Sequence, residues 1–237
     1  SDFENNPNIK PEQLNDFELG WRLKKSGFGL STNVYYMHYN EQLVMTGAID
    51  DVGAPVRDNS GESYRLGLEV AADITLLKDL LHFHPNLTLS SNKNKEVFYE
   101  YDGALTNFGE TNLAFSPSLV SAANIVYNPA KNLSISFLQK YVGEQYMGNI
   151  DSEGSILDAY YVADLNINYE LKLKSIFKSI VFSALVNNIF DSEYVSNGYW
   201  YTYDDNWSDP NATTTIEGAG YYPQATRNFL IGATIKF

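Results

Sequence analysis

Few residues in this chain are of a type and spacing that could do chemistry. His82 and His84 stand two apart, which puts both imidazoles on one face of a strand and supplies half of a metal site. No third ligand lies near them in the sequence, and ordinary turn residues account for the pair. Tyr199, Trp200, Tyr201, Tyr203, Asp204, Asp205 and Trp207 form the richest ligand candidate. Their rings offer large contact area at low entropic cost, and the carboxylates can receive cationic or hydroxyl-bearing groups. The competing use of the same aromatics is to pack their own loop and extend an interfacial belt. Asp205 and Asp209, with Asn206 and Asn211, offer oxygens to calcium but lack the spacing of a calcium-binding loop. Arg65, Glu69 and Asp73 share one face of one strand. The chain has no cysteine and no G-x-S-x-G, H-E-x-x-H or P-loop pattern, so neither an enzyme nor a resident metal or cofactor is expected.

The elements that carry these residues are strands. The closing stretch alternates: Phe229, Ile231, Ala233, Ile235 and Phe237 on one face, Asn228, Leu230, Gly232, Thr234 and Lys236 on the other. The clearest run places Tyr64, Leu66, Leu68, Val70, Ala72, Ile74 and Leu76 opposite Arg65, Gly67, Glu69, Ala71 and Asp73. Such a run exceeds the usual soluble strand of about 5–6 residues and suits a tilted membrane strand of about 9–11 plus overhang. No segment is an apolar stretch of the length a membrane helix needs, and a negative mean hydropathy is compatible with a barrel whose alternate residues alone meet lipid. The formal net charge of −13 argues against a nucleic-acid partner. Acidic loops that keep a surface soluble explain it, and cationic ligands are compatible with it.

In chain order, alternating runs begin at Leu14 and Phe28, joined by the turn Lys25-Ser26-Gly27, with a polar stretch from Gly47 to Gly61 that carries Asp50, Asp51, Pro55 and Asp58. The run of Tyr64 returns through Leu77–Leu81 to one starting at Phe83. A polar, aromatic loop is expected over 96–112. Further runs start at Leu119, Leu133, Tyr161 and Ile180, with turns near 128–131 and 174–178, a loop over 148–155 and a long loop over 191–222. Short turns alternate with long loops. Trp21, Phe28, Tyr127, Tyr169 and Phe237 fall at the short-turn end, and Tyr36, Tyr64, Tyr141 and Tyr161 toward the long-loop end, all on the apolar face. These are the two aromatic girdles of an outer-membrane barrel. The expected fold is all-β, an antiparallel transmembrane β-barrel segment of about nine strands over residues 1–237. An odd count with polar residues 1–10 first reads as the C-terminal part of a larger barrel, since an open sheet is not viable alone in lipid.

Val186-Asn187-Asn188-Ile189-Phe190-Asp191-Ser192-Glu193-Tyr194 resembles the "NLFD-x-x-Y" segment near the end of TonB-dependent outer-membrane receptors. Tyr222-Pro223-Gln224-Ala225-Thr226-Arg227-Asn228-Phe229, running to Phe237, resembles their closing strand. Pro11-Glu12 through Glu18-Leu19-Gly20 is similar to their "PE-x-x-x-x-E-x-G" segment, and Ser63-Tyr64-Arg65-Leu66-Gly67-Leu68-Glu69 to their "S-x-G-x-E" strand. The resemblance covers the chain and is nearest to receptors of Bacteroidetes-type bacteria.

The resemblance implies a barrel of about 22 strands with an N-terminal plug, of which this chain would supply the last nine. It implies the outer membrane of a Gram-negative bacterium, with membrane lipid, the plug and remaining strands, TonB (through the N-terminal part) and a small-molecule ligand as partners. Arg65, Glu69 and Asp73 would line the lumen or ion-pair with the plug, the structural role being preferred. The implied activity is energised uptake of a scarce nutrient, a ferric siderophore or other iron complex first. The alternative is a non-transporting surface barrel or adhesin that binds a partner through its loops.

Overall fold

One register level shows how the sheet is built. Phe28, Ile74, Phe83, Ile125, Phe137, Leu165, Val186 and Phe229 follow one another as cross-strand partners through eight adjacent strands. Because side chains alternate with period two, one such row fixes the face of every other residue on those strands. The computed structural model describes residues 9–49, 55–78, 80–173, 176–209 and 211–237, with the side chains of 45–56 outside the description. Residues 1–8 of the expected tail over 1–10, the acids Asp50 and Asp51, and the first residues of the 174–178 turn lie outside the described residues.

The strands are β1 (Gln13–Lys25), β2 (Phe28–Asn40), β3 (Leu43–Ile49), β4 (Pro55–Asn59), β5 (Ser63–Leu77), β6 (Leu81–Tyr101), β7 (Ala104–Asn112), β8 (Leu119–Ala130), β9 (Leu133–Val142), β10 (Gln145–Tyr146), β11 (Ile156–Leu157), β12 (Tyr160–Lys172), β13 (Ser179–Asn187), β14 (Val195–Asp205), β15 (Thr214–Pro223) and β16 (Asn228–Lys236). Nine of them form one antiparallel sheet in the order β1-β2-β5-β6-β8-β9-β12-β13-β16, with β7 paired to the far end of β6. The expected nine spanning strands are therefore present. Each neighbours its predecessor along this path, and β1 and β16 are the two edges.

The turn after β1 closes through Gly27 at φ +73°, a backbone conformation open to glycine. Tight connections also follow β5, β8 and β12, and long excursions follow β2, β6, β9 and β13. The alternation of short and long connections is that of a membrane barrel.

The apolar face is bare. Leu19, Leu66, Leu68, Phe229, Ile231 and Ile235 are all exposed, Ile231 at 89%. An apolar face of this extent is not left to water by a soluble domain. It is the surface that hydrocarbon covers. The opposite face is polar where the apolar face is not: Gly20, Asn33, Glu69 and Thr88 make one of its rows. At the short-turn end Phe177 packs edge-on against Phe237, centroids 5.1 Å apart. At the other end Tyr36 and Tyr64 sit 6.3 Å apart, and Tyr161 sits 6.1 Å from Phe190.

Two stretches expected to be loops are hairpins. β6 runs far past the membrane and turns back into β7, where the expectation was a loop over 96–112. The excursion over 191–222 is the β14–β15 hairpin. These strands stand outside hydrocarbon, so no apolar alternation betrays them. A turn signal was nonetheless present: Asp102-Gly103 has φ +53° and +70°, a left-handed pair that matches the twist of a two-residue hairpin. The polar stretch before β5 is also paired, as β3–β4.

Candidate functional site

The described residues bury little apolar surface in the spanning sheet, and the hydrophobic core sits instead among the long excursions. Val97, Met147, Ile150, Leu157 and Trp200 form it, with Tyr99, Tyr101, Phe108 and Val195 packed against them. These residues come from the β6–β7 hairpin, the segment between β9 and β12, and the β14–β15 hairpin. They fold toward the polar face of the sheet. Asn94 has the parity of that face, and its amide donates to Thr111 Oγ1 (3.2 Å), whose hydroxyl donates to the Asn149 carbonyl (2.8 Å).

Glu217 on β15 joins the three excursions. Its carboxylate accepts from the Tyr101 hydroxyl (3.1 Å), from Trp200 Nε1 (3.3 Å) and from the Ser152 hydroxyl. A second lock lies beside it. Asp102 N–H donates to Thr215 Oγ1 (2.7 Å), Thr215 N–H returns a bond to Asp102 Oδ1 (2.8 Å), and the Thr215 hydroxyl donates to Asp204 Oδ1 (3.0 Å). Tyr99 and Thr202 hydroxyls are 2.9 Å apart. Burial raises the Tyr101 phenol above its ordinary value, and its bond to the Glu217 carboxylate raises it further, so it stays a donor at neutral pH. Burial also raises Tyr99, against the smaller lowering effect of Thr202.

The structure divides the aromatic ligand candidates between two faces of β14. Trp200 is 8% exposed and anchors the core, its ring lying over Gly148, where a Cβ would meet it at 2.7 Å. Asp204 points to the same side, onto Thr215. Tyr199, Tyr201 and Tyr203 occupy the other face and are exposed, as is Trp207. Tyr199 lies across Gly220 and Tyr201 across Gly218, their register partners, where an added Cβ would come within 2.4 and 2.5 Å of the rings. Each ring thus rests one π-face on a glycine. Tyr199 stacks on Tyr201 at 6.2 Å, and Tyr203 on Trp207 at 6.2 Å with planes 3° apart. Tyr222 extends the row, 6.0 Å from Tyr199.

A cavity of about 1070 Å³ lies between the tip of this hairpin, β3–β4 and β6–β7. Glu62, Glu96, Glu100 and Asp204 are among its acidic walls, and Lys95 stands against them. Lys95 is already held by Glu62 at 2.6 Å.

Of the calcium candidates, Asp205 Oδ1 accepts from Trp207 and Ser208 N–H, and Asp209 Oδ1 accepts from both nitrogens of Asn211. Each carboxylate serves its own turn. His84 Nδ1 is 2.8 Å from Asp73 Oδ1, and His82 Nδ1 is 3.4 Å from Thr75 Oγ1, on the polar face of the sheet. Arg65 shares that face, its guanidinium 5.0 Å above the Tyr39 ring, as does Glu69. Among the described residues no group of three or more His, Cys, Asp or Glu converges as a metal site. Sequence reasoning missed Glu217, Tyr99, Tyr101, Asp102 and Thr215, because their partners on other excursions lie 65 to 116 residues away. The available signal was the turn pair Asp102-Gly103, which marks the β6–β7 hairpin alone.

Comparison with known proteins returns the same architecture. The chain is similar over 98% of its length to the ferric-catecholate import receptor Fiu of E. coli K12 in its closed form, at 18% identity and a TM-score of 0.65, covering 29% of that chain. It is similar over 99% to the unliganded ferric citrate transporter FecA, at 18% identity and TM-score 0.69, covering 33% of it. The ferric yersiniabactin uptake receptor FyuA of Yersinia pestis matches over 94% at 15% identity and TM-score 0.64, with 29% of its length covered. The chain thus spans about a third of these receptors. No curated protein matches its sequence. The family described as "TonB dependent receptor-like, beta-barrel" matches residues 1–189. With nine spanning strands, a bare lipid face and this match over most of its length, the chain belongs to the TonB-dependent receptor β-barrel family, whose members are transporters and receptors of the Gram-negative outer membrane rather than enzymes.

Proposed function

We propose that this chain is the closing portion of a TonB-dependent receptor that imports an iron complex, with its earlier strands, its plug and the TonB contact supplied by the rest of the same receptor. The observation that carries the reading is the match to three iron-complex receptors over at least 94% of this chain but only about a third of theirs. An open nine-strand sheet needs further strands to satisfy both edges in lipid.

Within this portion, the exposed rings of Tyr199, Tyr201, Tyr203 and Trp207 are the contact surface for the ligand, with Asp205 at its edge. Trp200 and Asp204 support that surface from behind. Aromatic faces and surrounding carboxylates are both electronegative, so the surface suits a neutral or cationic chelate better than a strongly anionic one. Arg65, Glu69 and Asp73 line the lumen wall. Deleting the gene should abolish growth on at least one of three iron sources, namely a neutral or cationic ferric hydroxamate, which the surface favours, ferric citrate or haem. Tyr199→Ala with Tyr201→Ala should raise the half-saturating concentration for that source at least tenfold. Unchanged growth and uptake on all three would refute the iron reading, and loss of surface adhesion in the deletion strain alongside that unchanged uptake would favour the surface-adhesin alternative.

A further inference from the structure

The segment Asn187 to Asp191 carries the resemblance to the family, yet the ligand reading assigns it no role. In the structure it meets the other leg of the longest excursion. Asn188 is 2% exposed and sits at φ +50°, a left-handed position that asparagine tolerates better than most residues. Its side-chain amide donates to the Ser192 carbonyl (2.8 Å) and to the Ala225 carbonyl (3.3 Å), and its Oδ1 accepts from Ser192 N–H (2.9 Å). Its main-chain N–H donates to Asp164 Oδ1 on β12 (2.8 Å).

Three residues on, Asp191 repeats the arrangement. It too has positive φ, at 58°. Its Oδ1 accepts from Arg227 N–H (2.8 Å), and its Oδ2 lies 3.8 Å from the Arg227 guanidinium. Below them the Asn187 amide donates to Asn228 Oδ1 (2.8 Å), and above them Gln224 N–H donates to the Tyr194 carbonyl (3.0 Å). Thus the two legs, 187–194 and 224–228, are tied by side chains at the point where β13 and β16 stop pairing and β14 and β15 have not begun.

The start of the first leg is also held to β12, where Ile189 N–H donates to the Ala163 carbonyl (2.8 Å). Among the described residues no ladder joins the two legs to each other, and a hairpin joined to a sheet in this way can pivot where the ladder is interrupted. We infer that Asn188 and Asp191 are positioning residues: they clamp the two legs and set the angle at which the β14–β15 hairpin leaves the sheet. That angle seats Trp200 in the core and turns Tyr199, Tyr201 and Tyr203 to the exposed side. The chemistry required is specific. Position 188 needs a donor and an acceptor on one planar group, since it meets two carbonyls and one N–H. Asn188→Asp keeps the acceptor but sets a carboxylate against two carbonyl oxygens. Position 191 needs only an acceptor, and its side chain is half-exposed.

The effect on the ligand rests on the reading of Tyr199, Tyr201 and Tyr203 as the contact surface, and the test separates the two. Hydrogen exchange followed by mass spectrometry on the whole receptor would compare Asn188→Asp, Asp191→Ala and Asp191→Asn with wild type. Asn188→Asp and Asp191→Ala should raise exchange in 195–205 and 214–223 at least tenfold and leave β12 and β13 unchanged. Asp191→Asn, which retains the acceptor for Arg227 N–H, should stay close to wild type. Equal loosening of the spanning strands, or no change in the hairpin, would overturn the clamp. Asp191→Ala carries the test if Asn188→Asp fails to assemble. Uptake of radio-iron presented as a ferric hydroxamate, citrate or haem should then show a raised half-saturating concentration at an unaltered maximal rate. A loosened hairpin with unaltered half-saturation would leave the clamp standing and refute the ligand surface.

Discussion

Replacing Glu217 by alanine should release three extracellular segments at once. The carboxylate accepts from Tyr101, Ser152 and Trp200, which belong to three separate excursions of the chain. A hydrogen bond to a charged acceptor contributes about 1.5–3 kcal/mol when buried. Glu217 is only partly buried, and the Trp200 bond is long, so about 1 kcal/mol for each of the two better bonds and less for the third is appropriate after screening. The sum is about 2–3 kcal/mol of local stability. At about 1.4 kcal/mol per tenfold, the opening constant of the cluster rises roughly 30- to 150-fold. Opening of a local unit is what amide exchange reads. Peptides covering 97–101, 147–157 and 198–204 should lose protection together, while β8 and β9 keep theirs. Acrylamide quenching should report the same event at Trp200, which leaves a site where it is 8% exposed. Glu217→Gln retains one acceptor oxygen and should give a smaller rise in all three. Loss of protection in 214–218 alone would refute the reasoning, because it would show that the excursions hold their places independently.

The assignment of faces predicts a sharp asymmetry between neighbours on β5. Leu68→Arg places a charge in the hydrocarbon layer and should cost about 2–4 kcal/mol, read as a lowered urea midpoint and less assembled barrel in the outer membrane. Glu69→Gln, on the polar face, should change stability by no more than about 0.5 kcal/mol. Equal effects would mean that the two faces are misassigned. At the hairpin tip, the Ser208 hydroxyl and amide and the Trp207 amide hold the Asp205 carboxyl below its ordinary value. A depressed folded-state value stabilises above the unfolded value and loses that contribution as pH falls through the folded one. The 205–208 turn should therefore keep its amide protection through neutral and mildly acidic pH and lose it only below the usual carboxylate range. Loosening near neutrality, followed by exchange at Trp207 and Ser208, would contradict this.

The spanning strands were legible in the sequence because lipid and lumen impose opposite chemistry on alternate residues. Leu66, Leu68 and Val70 against Arg65 and Glu69 suffice to place β5, and the same alternation places the other spanning strands to within a few residues. The girdles followed from the same logic. Beyond the membrane both faces of a strand meet water or another excursion, and the alternation fades. The β6–β7 and β14–β15 hairpins read as loops for that reason, although Asp102-Gly103 marked one of the turns. Glycine could not be read from composition as a seat for a ring, so the flat packing of Tyr199 on Gly220 and Tyr201 on Gly218 was hidden.

The sequence alone determined that the chain is a membrane sheet, which residues meet lipid, where the short turns lie and which family it resembles. Only the tertiary structure decided which aromatics of one run are buried and which exposed. That division depends on what the hairpin lies against, and Trp200 finds Val97, Met147 and Leu157 from segments that local pattern cannot bring together. The same is true of Glu217 and Asn188. Their significance is the set of atoms they reach across the chain, and hydrogen bonds between distant segments exist only once the register of the whole sheet has been fixed.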